Sequence, residues 1–186
     1  HPKEILYPKS SLEVQEIVKR SKNIRVVGGG HSFSPLVCTN ETLLSLRLMD
    51  KIISIDDQYV VCESGSTIES LQTKLLAYEK IIHGFGSIQD QSLAGAFSTS
   101  HHGLTFHSFA EDVSSITAVL ANGTMINTSK LFFWRAHMGM LGVITSVKLR
   151  LYTNTLVNIE TEKLSLHEAL KRLPLGDAGI IETNFN

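Results

Sequence analysis

Arg25-Val-Val-Gly-Gly-Gly-His-Ser-Phe-Ser-Pro35 decides how this chain is read. Ile24 to Val27 is rich in β-branched residues and predicts a short strand, and three glycines follow it at once. A turn without Cβ atoms lets backbone N–H groups converge on an anion such as a pyrophosphate. His31 and Ser32 at the loop's end add side-chain donors. The competing reading of these residues alone is a flexible turn. The spacing is not Gly-x-Gly-x-x-Gly opening a helix, because a histidine follows the glycines and Pro35 blocks a regular helix. A nicotinamide-binding Rossmann fold is therefore a poor fit.

Upstream, Ile5 to Tyr7 predicts a strand, and Ser10 with Glu13 has capping-box spacing. Leu12, Val14, Ile17 and Val18 repeat with helical period, giving a helix over 11–21. Strand, helix, strand and glycine loop in that order favour parallel strands in an α/β lobe. Downstream, short strands are predicted over 43–46, 51–55 and 59–62. Ser66 and Glu69 form a second capping box, for a helix running to about Tyr78. Strands over 112–120 and 124–128 flank Asn122-Gly123, a strong hairpin-turn signal, and a last strand covers 142–151. Ser165 and Glu168 cap a further helix carrying Leu166, Leu170 and Leu173, with Gly176 as its stop. The layout is α+β in two lobes, 1–56 and 57–153, with a new region from 154.

The chain has 186 residues, 42% hydrophobic and 19% charged, which suits a globular protein with one good core or two small lobes sharing a cleft. A formal net charge of −1, with scattered basic residues, disfavours a nucleic-acid or anionic-membrane partner. No apolar run reaches the roughly 18 to 20 residues of a membrane span, so a soluble, by default cytoplasmic, protein is expected. Cys38 and Cys62 read as small buried residues. His101, His102 and His107, near Glu111 and Asp112, match no zinc spacing, so no metal is expected. His83, His137 and His167 read as surface or core-edge residues.

A second segment, Gly84-Phe-Gly-Ser-Ile-Gln-Asp-Gln-Ser-Leu-Ala-Gly-Ala-Phe-Ser-Thr-Ser-His-His-Gly103, is rich in small residues and neutral donors. Ser92, Ala94, Gly95, Ala96 and Ser98 would let a large planar ligand lie close to the backbone, with Ser87, Gln91, Thr99 and Ser100 as donors. The other reading is a small-residue helix packed on a sheet.

In order, Gly-Gly-Gly-His-Ser-x-Ser, then Gly-Ser-Ile-x-x-Gln-Ser-Leu-Ala-Gly-Ala-x-Ser-Thr-x-x-His-Gly, then Leu141-Gly-Val-Ile-Thr-Ser-Val, resemble the vanillyl-alcohol-oxidase-type flavoproteins. Within them the chain is most similar to the sugar-lactone and alditol oxidases, over residues 4 to about 152. The resemblance implies two α+β lobes clasping FAD. Val27, Gly28, Gly29, Gly30, His31 and Ser32 would hold the pyrophosphate. Gly86, Ser87, Gln91, Ser92, Gly95, Ser98, Thr99, His102 and Gly103 would line flavin and phosphates, with Gly142, Val143 and Ile144 on the adenine side. His31 falls where many members bond a histidine ring nitrogen to the flavin 8α carbon. That bond replaces a methyl hydrogen with an electron-withdrawing ring, which raises the flavin potential and prevents cofactor loss.

The implied reaction is oxidation of a sugar-lactone or polyol hydroxyl, with hydride transfer to flavin N5 and reoxidation by oxygen to hydrogen peroxide. Two other readings stand beside it: a flavin-binding module without catalysis, and another enzyme on the same fold, such as a cytokinin-dehydrogenase-like or enolpyruvyl-reductase-like protein. His101 departs from the threonine usual in lactone oxidases. Lys130 runs directly into Leu131-Phe-Phe-Trp, where the family has a short acidic approach. Residues 154–186 correspond to the start of a substrate domain, so no catalytic acid or base is assigned.

Overall fold

A computed structural model describes residues 1–103, 108–155 and 163–172. Two sheets carry the architecture. The first is parallel, with β1 (Glu4–Leu6) and β2 (Ile24–Val27) on either side of β3 (Thr42–Ser45). Ile5 pairs with Leu43, and Val26 with Leu44. The second is antiparallel, in the order β4 (Ile52–Ile55), β5 (Tyr59–Glu63), β9 (Val143–Arg150), β7 (Val113–Val119), β8 (Met125–Thr128). The chain passes from the first sheet to the second between Ser45 and Ile52. The fold is the expected α+β class, and the parallel opening unit has the expected strand–helix–strand order.

Helix α1 (Ser11–Arg20) begins where the sequence placed it. Ser10 Oγ accepts the Glu13 amide at 3.2 Å, and the Glu13 carboxylate accepts the Lys9 amide at 2.9 Å. Its apolar face, Val14, Ile17 and Val18, packs on Leu44 and Leu46 of the first sheet's side and on Val119 and Val143 of the second. One amphipathic helix thus fastens the two sheets together.

The larger core lies under the antiparallel sheet, where Val60, Ile116, Val147 and Leu149 meet α2 (Ile68–Leu75), α3 (Leu93–Ser98) and α4 (Phe109–Asp112). Phe97 and Phe109 are completely buried there. Helix α2 is capped by Thr67, which accepts the Ser70 amide at 3.1 Å, and not by Ser66. Ser66 is buried, and its carbonyl accepts the Leu93 amide, so tertiary packing claims the residue that local spacing favoured. The α-helix ends at Leu75 and a 3₁₀ turn, Leu76–Tyr78, completes the expected length.

A two-residue strand β6 (Lys80–Ile81) pairs with β10 (Tyr152–Thr153), and α5 (Leu166–Arg172) is the last described element. The Ser165–Glu168 cap is present, with the Glu168 amide 3.3 Å from Ser165 Oγ. Leu173 and Gly176 lie outside the described residues, as does most of the region expected to open a substrate domain. Asn122-Gly123 makes the hairpin turn, with Gly123 at φ +78° and Val119 opposite Met125. Cys62 is buried as expected, whereas Cys38 is exposed, because Pro35 ends any regular element and leaves its segment on the surface.

Candidate cofactor site

A cavity of about 760 Å³ runs between the two sheets, within the size range of small-molecule and cofactor pockets. Three of the segments that line it carry the residues singled out in the sequence. The first is the end of β2 and its loop: Val27, Gly28, Gly29, Gly30, His31 and Ser32. Parallel pairing of β2 ends with Val27 opposite Ser45, and the glycines then turn the chain out of the sheet. Among the described residues, nothing accepts a hydrogen bond from the amides of Gly29, Gly30, His31 or Ser32. Backbone donors left open beside a cavity are what an anion needs.

The second wall is α3 with the residues before it. Gln91, Ser92, Gly95, Ser98 and Thr99 all line the cavity. The helix is docked from below: the Leu93 amide bonds the Ser66 carbonyl at 2.9 Å, and the Ala94 amide bonds the Ser64 carbonyl at 3.1 Å. Ser92 Oγ caps α3 by accepting the Gly95 amide at 3.2 Å. First and second walls touch so closely that a Cβ on Gly28 would stand 2.2 Å from Ser92 Oγ. The Thr99 hydroxyl donates to the Gly95 carbonyl at 2.9 Å and is committed to the helix.

The third wall is the turn into β9, where Gly142, Val143 and Ile144 line the cavity together with His137, Met138 and Met140. Val143 and Ile144 are also core residues, 6% and 3% exposed, so they present little more than their backbone side to the cavity. Ala136 and Met138 both sit at φ +52°, a left-handed region that costs a non-glycine residue about 1 kcal/mol or more. The strain is held by two hydrogen bonds to α3, Ala136 amide to Phe97 carbonyl (3.4 Å) and Met138 amide to Ser98 carbonyl (3.0 Å).

Between those two residues, His137 is turned inward and buried, not at the surface or core edge as its sequence context suggested. Its Nε2 lies 2.9 Å from Ser98 Oγ, and its Nδ1 accepts the Leu141 amide at 3.4 Å. Burial pushes its pKa down to about 4, so the ring is neutral at physiological pH. With Nδ1 accepting, the ring proton sits on Nε2 and is donated to Ser98 Oγ. The Ser98 hydroxyl hydrogen is then free to donate into the cavity. No local pattern marks His137, since its role depends on a turn clamped from forty residues away.

The remaining sequence-selected residues lie off this cavity's lining. Gly86, Ser87, His102 and Gly103 belong to a crossing of two extended segments beside it. A Cβ on Gly103 would be 1.9 Å from the Phe85 carbonyl oxygen, so close backbone packing explains this glycine. The Gly86 amide donates to His101 Nε2 at 2.7 Å. That bond needs a neutral ring at His101, and burial, then the neighbouring His102, hold its pKa below the usual value. Ser87 and His102 are exposed. His107 lies outside the described residues, and among those described no three His, Cys, Asp or Glu side chains are grouped to hold a metal.

Charge on the lining is uneven. Lys22, Arg25 and Arg47 line the cavity, with Asp90 as the single acidic residue among the described lining residues, in a chain whose formal net charge is −1. A cleft with this balance attracts a polyanion. Residues 2–129 match the family model described as FAD binding domain. The chain belongs to that family.

This FAD-binding domain is 27% identical over 183 residues to L-gulono-1,4-lactone dehydrogenase of Mycobacterium tuberculosis, covering 92% of this chain and 43% of that protein. It is 27% identical over 186 residues to L-gulonolactone oxidase of Bos taurus, covering 92% and 42%. With D-arabinono-1,4-lactone oxidase of Candida albicans it shares 32% over 177 residues, covering 80% and 32%. The chain thus spans less than half the length of these relatives. Among solved structures it resembles alkyldihydroxyacetonephosphate synthase with a TM-score of 0.74 at 18% identity, over 80% of this chain and 31% of that one. That likeness is one of fold. The open amides of the glycine loop, the cationic lining and the cavity's size fit FAD. Among the described residues, no helix is long and apolar enough to cross a membrane.

Proposed function

We propose that this chain is the cofactor-holding part of an FAD-dependent oxidoreductase that oxidises a hydroxyl of a sugar lactone or polyol, with FAD bonded covalently to His31. The observation that carries the reading is the meeting of the glycine loop and α3 along one cavity, with His31 at the loop's end. The relatives' names, gulonolactone and arabinonolactone oxidases and dehydrogenases, support the substrate class.

In this reading the Gly29–Ser32 amides bind the diphosphate, and Lys22, Arg25 and Arg47 raise the local affinity for its charge. Ser98, oriented by His137, donates to a flavin or phosphate acceptor. FAD held by these residues would supply the two-electron redox chemistry, accepting hydride from the carbinol carbon with oxygen as the final acceptor.

Two measurements test this. Mass analysis of the peptide spanning residue 31 should show an FAD increment that His31→Ala abolishes. The full-length protein, supplied with aldonolactones and alditols, should release hydrogen peroxide. A colourless protein with an unmodified residue-31 peptide would falsify the covalent reading. A flavin-loaded full-length protein with no turnover on any of these compounds would favour a non-catalytic flavin module.

A further inference from the structure

The His31 ring folds back over its own loop: a Cβ on Gly29 would meet His31 Cδ2 at 2.9 Å and the Asp90 carbonyl oxygen at 2.7 Å. Beyond the ring, Asp90 Oδ1 lies 2.5 Å from His31 Nε2. Nε2 has no solvent access and no aligned hydrogen bond, so this carboxylate at ion-pair distance is its polar neighbour. The His31 side chain as a whole is 30% exposed, and His31 lines the cavity. With Nε2 turned inward against Asp90, Nδ1 is the nitrogen left for a cavity ligand. Asp90 itself is 62% exposed and open to solvent.

We infer that Asp90 is a positioning residue for covalent attachment of the flavin, an inference that rests on the covalent reading of His31. A carboxylate beside one imidazole nitrogen fixes the tautomer, placing the proton on Nε2 and the lone pair on Nδ1. It also stabilises the positive charge that the ring gains when Nδ1 attacks, as the aspartate does in a Ser-His-Asp triad.

The step balances as follows. A bond forms between Nδ1 and the 8α carbon while one C–H bond of the 8α methyl breaks, its electron pair staying with the isoalloxazine and its proton leaving. The Nε2 proton departs by way of the Asp90 carboxylate. Dioxygen is the oxidant, and takes the two electrons and two protons as hydrogen peroxide.

The test compares wild type, Asp90→Asn and Asp90→Ala, each loaded with FAD in air. Covalent flavin is read as the mass increment on the residue-31 peptide over time, and non-covalent flavin as FAD released on denaturation. We expect the covalent rate of both variants to fall on the order of 10- to 100-fold, with released FAD rising in its place. Added formate, a small carboxylate that reaches an exposed position, should restore part of the rate in Asp90→Ala, an effect that a merely structural role would not produce.

Covalent labelling of both variants at the wild-type rate would overturn the role of Asp90 while leaving covalent attachment intact. So would loss of released and covalent FAD together with no rescue by formate, since that marks a structural residue. Wild-type protein without covalent flavin would overturn both this inference and the reading beneath it.

Discussion

Ser98 and His137 face each other at 2.9 Å across the seam between α3 and the turn into β9. A hydroxyl from the second wall of the cavity is thereby oriented by an imidazole from the third. Because His137 Nδ1 accepts from the Leu141 amide, Ser98 Oγ accepts a hydrogen bond from Nε2–H, which leaves its own hydroxyl hydrogen to point elsewhere.

The pair should behave as one unit. Measured as FAD dissociation constants in a His31→Ala background, Ser98→Ala and His137→Asn should each weaken binding by roughly 5- to 10-fold, the worth of one hydrogen bond. The double variant should lose less than the product of the two. Full multiplicativity in that cycle would mean that the two residues act independently.

His137 also ties stability to pH. Its folded pKa of about 4 lies below the ordinary histidine value of 6.5, so between these values the unfolded chain binds a proton that the folded chain refuses. The sign is therefore destabilisation as pH falls from 6.5 to 4, by about 3 kcal/mol in total, with no contribution to the slope above that window. Urea midpoints of wild type and His137→Asn at pH 7, 5.5 and 4 check this, because acid effects of other groups are common to both. A difference that stays constant with pH would contradict it. An NMR titration of the ring gives a direct second reading.

The two ends of the glycine loop should respond differently to alanine. Gly28→Ala forces a methyl to within 2.2 Å of Ser92 Oγ and should cost about 1–3 kcal/mol of stability, with looser FAD binding. Gly30 has open space around its Cβ position but sits at φ +79°, so Gly30→Ala should cost only the backbone strain, about 1 kcal/mol. Thermal and urea unfolding of the two variants would rank them, and a larger loss at Gly30 would reverse the argument.

The two cysteines should differ in reactivity. Cys38 is exposed, whereas Cys62 is buried and its thiol is pushed up to about 12 by desolvation. One equivalent of alkylating reagent should react with native protein, at Cys38, and two after unfolding. Labelling of Cys62 in the native state would show that the core under β5 opens.

What the sequence disclosed follows the range of the forces involved. The Ser10 cap, the α1 face and the Asn122-Gly123 turn depend on residues within a few positions, and each stands where its spacing put it. The glycine loop and the Gln91–Thr99 segment were recognisable as motifs, although nothing local told that Gly28 would rest on Ser92. Where a distant partner decides, spacing failed. Thr67, one residue further on, caps α2 while Ser66 is buried, and His137 is buried by a turn that α3 holds. Asp90 stood in plain view within the second motif, and only the fold of the loop brings it to His31.

The order of the antiparallel sheet governs how the protein can be made. β9 is central there, flanked by β5 and β7, yet it is translated after both, with Tyr59 paired to Arg150 across the intervening chain. A nascent chain halted before residue 143 would hold two half-sheets, β4–β5 and β7–β8, each with a bare edge open to foreign strands. Val143 and Ile144, which finish the third wall of the cavity, belong to the same strand that joins the two half-sheets. The strand that closes the sheet thus also completes the cavity, and until it pairs, the edges of β5 and β7 are the surfaces most prone to aggregation.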